Sequence, residues 1–127
     1  MTEARLEREI LDALDGTEEV HVETTRDASS PKHETVIWVV VVDGNAFVRS
    51  VRGEKGRWFR EASVNPYVTL RVNDRRVPLR AVPETDARTI EKVSGVIREK
   101  YGVSYPGPTA AMVREEVLST TLRLLPA

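Results

Sequence analysis

A chain of 127 residues with 19 Lys and Arg against 20 Asp and Glu has a formal charge of -1, so its surface as a whole does not address nucleic acid. With no cysteine and two histidines, disulfides and thiolate chemistry are excluded, and no metal site is expected. No apolar run would span a bilayer or serve as a signal-peptide core, so the expectation is one cytoplasmic domain over residues 1–127 that buries about two-thirds of its unfolded surface.

In chain order, Leu6, Ile10 and Leu14 recur every four positions and predict a packing helix over Glu3 to Leu14, with Gly16 as a left-handed cap. Val20 to Thr25 alternates as a half-buried strand does, and Arg26 to Lys32 is a polar loop containing Pro31. Glu34 to Val42 is nearly all β-branched and aromatic, which predicts one strand buried on both faces. Asp43-Gly44-Asn45 is a hairpin turn. On the return strand, Ala46 to Ser50, a period of two puts Phe47, Arg49 and Val51 on one face and Val48, Ser50 and Arg52 on the other.

Arg57 to Ala62 predicts a short helical turn ended by Asn65-Pro66, and strands Tyr67 to Val72 and Arg75 to Val82 meet at Asn73-Asp74. Pro78 cannot donate to a ladder, so the second of these strands is expected at an edge or with a bulge. Thr85 or Asp86 caps a helix with the stripe Ile90, Val93, Ile97 and Tyr101, closed by Gly102. Tyr105 to Pro108 reads as a turn, Ala110 to Val117 as one or two helical turns, and Thr120 to Leu125 as the last strand. Six strands with short connections predict a mainly β (α+β) antiparallel barrel. Helix 1–16 packs on it, its main strands span 20–83, the longer helix spans 85–102 and the last strand 119–125.

The stretch Arg49 to Arg60 concentrates charge, with Arg49, Arg52, Lys55, Arg57 and Arg60 set against Glu54 alone. Gly53 and Gly56 let this backbone approach a ligand, and guanidinium forks match phosphate oxygens. The segment reads as an anion site, or as a solvated loop paired with acids elsewhere.

The ordered series Thr24-Thr25-Arg26, Thr35-Val36-Ile37-Trp38, Asp43-Gly44, Val48-Arg49-Ser50, Gly56-Arg57-Trp58-Phe59-Arg60, Asn65-Pro66 and Thr121-Leu122-Arg123-Leu124 resembles the split-barrel flavin-binding superfamily. That group holds the pyridoxamine phosphate oxidase-like and deazaflavin-dependent nitroreductase-like proteins; the likeness is to a small, functionally uncharacterised branch. The resemblance implies a six-stranded Greek-key split barrel, a homodimer, and FMN or a deazaflavin at the dimer interface. It places His33, Thr35, Val36 and Trp38 toward the ring. Arg49, Ser50, Arg52, Arg57 and Trp58, with Lys32 or Arg60, fall at the phosphate end. The chain departs from the family pattern in a glycine-free loop Ala28 to His33, in Val36 where relatives carry proline, and in Glu61 where many carry asparagine; a carboxylate there would repel a phosphate unless neutralised.

Such cofactors carry the hydride chemistry themselves, so a missing nucleophile or acid/base pair does not count against an oxidoreductase. No catalytic residue is named, and Tyr67, Tyr101 and Tyr105 are candidate proton donors. Three readings stand side by side: a flavin- or deazaflavin-dependent reductase of unknown substrate, a cofactor-less dimeric interaction or sequestering module, and a single-stranded nucleic-acid binder using Arg49 to Arg60 with Trp58 as stacking platform.

Overall fold

The computed structural model describes residues 5–127; Glu3, at the start of the first predicted helix, lies outside them. Helix α1 (Arg8–Asp15) precedes strands β1 (Glu19–Thr24), β2 (His33–Trp38), β3 (Val40–Val42) and β4 (Asn45–Val48). A 3-10 turn (Gly53–Lys55) leads into α2 (Arg57–Val64), followed by β5 (Tyr67–Val72) and β6 (Arg75–Pro83). The chain ends with α3 (Ala87–Tyr101), α4 (Pro106–Val113), α5 (Glu115–Leu118) and β7 (Leu122–Pro126).

All pairings are antiparallel, in the order β2-β1-β5-β6-β7-β4-β3. The two end strands are consecutive in the chain, separated by Val39 alone, so the chain itself links the two ends of a curled sheet. The single strand expected over Glu34 to Val42 is therefore two, and the count among the described residues is seven rather than six. At the break, Val39 N–H donates to the Tyr101 hydroxyl (3.2 Å) and Val39 O accepts from Lys100 Nζ (2.7 Å). The C-terminal end of α3 thus supplies the partners that a ladder would otherwise provide.

Alternation sorts the side chains. Val20, Val22 and Thr24 of β1 point inward and join Leu70, Leu79 and Leu124 inside the barrel. A second cluster lies outside it, where Phe47, Val40 and Val42 meet Val93, Ile97 and Tyr101 of α3. Asp86 caps α3 by accepting from Thr89 N–H (2.9 Å).

Several local expectations change. Helix α1 begins at Arg8, and Gly16 and Gly102 stay right-handed instead of forming left-handed caps. Asp43 and Gly44 do take positive φ, as a two-residue hairpin turn requires. Strand β6 is interior, between β5 and β7, yet its β7 partner begins at Leu79. Pro78 lies just beyond that register, on a locally free flank where its missing N–H costs nothing. Tyr105 to Pro108 is not a plain turn, because Pro106 opens α4 at the first helical position, where a missing N–H is tolerated. Among the described residues no helix is long and apolar enough to cross a membrane.

Candidate functional site

Among the described residues strand β2 pairs only with β1, and along its other flank runs a groove of about 770 Å³, within the usual size range for cofactor sites of about 300–1,000 Å³. Its walls are Thr35 to Trp38 from β2, Arg49 to Arg52, the start of α2 at Gly56 to Trp58, and Tyr105, Pro108 and Met112 around α4, with Glu18 and Glu19 at the margin.

One end gathers hydrogen-bond donors and positive charge. Helix α2 starts at Gly56 with no side-chain cap, which leaves N–H groups of its first turn open and a partial positive charge at that end. Ser50 is 1% exposed, and its hydroxyl makes no hydrogen bond among the described residues. A Cβ at Gly56 would collide with Ser50 Oγ, so only glycine lets the helix start approach that hydroxyl. Arg52 and Arg57 are exposed on the groove and have no carboxylate partner among the described residues. Gly53, with φ at +68°, turns the chain between these pieces.

Arg49 has a different task. It is 1% exposed, and its guanidinium donates to Thr121 Oγ1 (2.9 Å), Ser94 Oγ (2.8 Å), Met112 O (3.1 Å) and Ile90 O (2.8 Å). Four of its five N–H groups are thereby committed. Burial, with the charge of Arg98, lowers its guanidinium to about 10. Arg49, just past β4, ties that strand's end to α3, α4 and the residue before β7, and so braces the loop that begins at Ser50. Ser50 N–H donates to Thr120 Oγ1 (3.0 Å), which fixes the same loop.

The other end is aromatic. Trp38 stacks on Tyr101 with centroids 3.9 Å apart and planes 3° from parallel, and Tyr105 tilts against it at 5.8 Å. Burial pushes the Tyr101 phenol up to about 12; its hydroxyl donates to Glu18 O (2.5 Å). The Tyr105 hydroxyl donates to Glu18 Oε2 (2.7 Å). Tyr67 is outside the groove lining.

Glu61 does not line the groove. Its carboxylate, 6% exposed, accepts from Thr24 Oγ1 (2.8 Å) and from His33 Nδ1 (2.8 and 3.1 Å to its two oxygens). Burial by itself would raise this carboxyl. The hydrogen bonds from Thr24 and His33, and the charges of His33 and Arg57, outweigh burial and hold it below the usual carboxylate range.

Of the eleven residues singled out in the sequence, Thr35, Val36, Trp38, Arg49, Ser50, Arg52, Arg57 and Trp58 line the groove, while Lys32, His33 and Arg60 do not. Lys32 lies 3.7 Å from Glu23, and Arg60 sits on the exposed side of α2. Trp58 is 7% exposed and belongs to the barrel core; with Arg49 also buried, the basic stretch does not offer a nucleic-acid strand its expected stacking platform. Sequence reasoning missed Pro108 and Met112, which lie in a stretch of weak periodicity. It also missed the Thr24–Glu61–His33 cluster, whose only signal was the inward phase of Thr24 on its strand.

The profile of one protein family, described as uncharacterized protein conserved in bacteria (DUF2255), matches residues 10–124. The chain belongs to that family. No curated protein matches it. Among solved structures, that of HutZ, described as the heme storage protein from Vibrio cholerae, superposes with a TM-score of 0.66 at 20% identity over 97% of this chain and 91% of that one. A structure described as an F420-H2 dependent reductase (FDR-A) gives 0.61 at 18% identity over 84% and 92%. A putative pyridoxamine 5'-phosphate oxidase from Listeria innocua gives 0.60 at 15% over 91% and 87%. At these identities the likeness is one of fold, and the DUF2255 chain is a split barrel.

Proposed function

We propose that the groove binds a flavin or deazaflavin cofactor and that the protein is an oxidoreductase of small substrates. The observation that carries this reading is the Ser50 hydroxyl, nearly buried and without a partner among the described residues, beside the uncapped start of α2 and on the same groove as Arg52 and Arg57. These are the donors a phosphate uses. Arg52, Arg57, Ser50 and the α2 N–H groups hold the phosphate end, and Arg49 braces them. The ring lies along Thr35, Val36 and Trp38, where the strandless flank of β2 offers backbone donors and acceptors to its polar edge. The bound cofactor supplies hydride transfer, and the chain orients it and excludes water. Val36 at 49% and Val51 at 47% exposure stand on the groove wall, and a second copy of the chain covers them in a homodimer.

The test is a titration of the purified protein with FMN, riboflavin and a deazaflavin coenzyme, with hemin as a competing ligand, read by absorbance and Trp fluorescence. FMN should bind at least about tenfold more tightly than riboflavin, the equivalent of one charge-assisted hydrogen bond, and Arg57→Ala should erase that difference. Equal binding of FMN and riboflavin would remove the phosphate assignment, and tight binding of hemin alone would replace the cofactor.

A further inference from the structure

We propose that His33 is the proton-transfer residue of this groove, that Glu61 is its positioning residue, and that Thr24 holds Glu61 in place. The proposal rests on the cofactor reading above.

Thr24 and His33 stand opposite each other in the β1–β2 register, so their side chains leave the same face of the sheet. That face meets α2, where Glu61 follows Arg57 by one turn. An ionised carboxylate accepts and does not donate, so both short contacts to His33 put a proton on Nδ1. Nε2 is then the nitrogen free to exchange protons, and it has no partner among the described residues. The His33 side chain is 31% exposed, against 7% for Glu61, so the pair opens on the imidazole side only. Two positions along the same strand face, about 6.6 Å at the usual strand rise, Thr35 lines the groove. Arg57 and Trp58 of α2 line it as well. His33 is not itself among the lining residues; it flanks the groove through Thr35 on its own strand and through α2, which carries Glu61.

The cluster contributes stability, but stability does not require a half-open imidazole as the partner of the carboxylate. Setting a carboxylate under a sheet costs solvation, and apolar side chains of similar volume would fill the space at no net loss. A buried charge whose partner is a half-open imidazole is the arrangement that fixes a tautomer for chemistry. Among the described residues no three His, Cys, Asp or Glu side chains converge on one point.

Reduction of a substrate by hydride, taken from a reduced flavin or deazaflavin, delivers two electrons and one hydrogen nucleus. The substrate atom next to the new C–H or N–H bond is left with an extra electron pair. His33 gives the proton held on Nε2 to that atom, becomes the neutral Nδ1–H imidazole, and recovers a proton from solvent through its exposed edge. In the oxidative direction Nε2 takes the proton first.

The experiment is long-range ¹H–¹⁵N NMR on the labelled full chain, in which two histidines are the only imidazoles and His21→Gln assigns them. In the wild type at neutral to mildly basic pH, His33 should show the Nδ1–H tautomer, and Glu61→Gln should mix the two tautomers. Saturation with FMN or a deazaflavin, judged by Trp fluorescence, should shift His33 Nε2 and protect His33 from diethyl pyrocarbonate severalfold while leaving His21 unchanged. A wild-type His33 protonated only on Nε2, or a saturated groove with neither shift nor protection, overturns the proposal and leaves the cofactor reading standing. If neither cofactor binds, the cofactor reading falls and this proposal with it. Should Glu61→Gln not fold, the wild-type tautomer and protection decide alone.

Discussion

Two histidine–glutamate pairs lie on opposite faces of the β1–β2 ladder, one between the two strands and one between β2 and α2. His21 on β1 contacts Glu34 on β2 at 2.8 Å, the same distance as His33 to Glu61, but its side chains are 40% and 40% exposed. Around that outer pair Arg71 also reaches Glu34, and solvent surrounds all three. The inner pair is closed from below by Thr24 and from one side by α2. Equal contact distances therefore describe unequal interactions: outside, water competes for every charge; inside, the carboxylate has only the partners the fold gives it.

The strongest way to break this contrast is truncation. Glu61→Ala should lower the unfolding free energy by about 2–3 kcal/mol, since it strips charge-assisted hydrogen bonds and leaves Thr24 Oγ1 without a partner. Glu34→Ala should cost under about 1 kcal/mol. Urea denaturation compares them, and equal losses would mean that the buried carboxylate is solvated after all.

Acid titration sharpens it next. The folded-state value of Glu61 is depressed, so the stability it contributes is fully present above the unfolded carboxylate value of about 4.3 and disappears as pH falls through the lowered folded value. Glu61→Gln should flatten that part of the acid limb in thermal melts recorded from pH 6 to pH 3. An unchanged slope would contradict the hydrogen-bond assignment.

Smaller effects follow for the supporting groups. Thr24→Val keeps the shape, removes the donor to Glu61 and should cost about 1 kcal/mol. His21→Gln should change stability by less than about 0.5 kcal/mol, and what effect it has should vanish in high salt, because the outer cluster is screened.

Much of the barrel was legible from local pattern. Tyr67–Val72 appears with the bounds its alternation predicts, and Val93, Ile97 and Tyr101 of the predicted stripe belong to the second core cluster. The basic segment with its two glycines was legible as well, because glycine at a turn and five cations against one acid are visible in the order of residues. What each cation does was not. Arg49 and Arg57 belong to one run, yet Arg49 is consumed by Thr121, Ser94, Ile90 and Met112, far away in the chain, while Arg57 stays open on the groove. The strand break at Val39 was hidden for the same reason: it is stabilised by Lys100 and Tyr101, about sixty residues later, and a valine run carries no mark of it.

Glu61 shows where the division lies. Its position one turn into α2 follows from sequence, and so does the expectation that a carboxylate near a phosphate site would repel the ligand. Helix phase and sheet register together turn it the other way, under Thr24 and His33, where it fixes an imidazole instead. Periodicity, turn chemistry and charge density act over a few residues, and the sequence by itself determined the strands, most helices and the basic loop through them. Which polar groups are buried, and against whom, depends on registers and helix positions set by packing across the whole barrel, so the tertiary structure alone decided the groove, the brace behind it and the inward-facing pair.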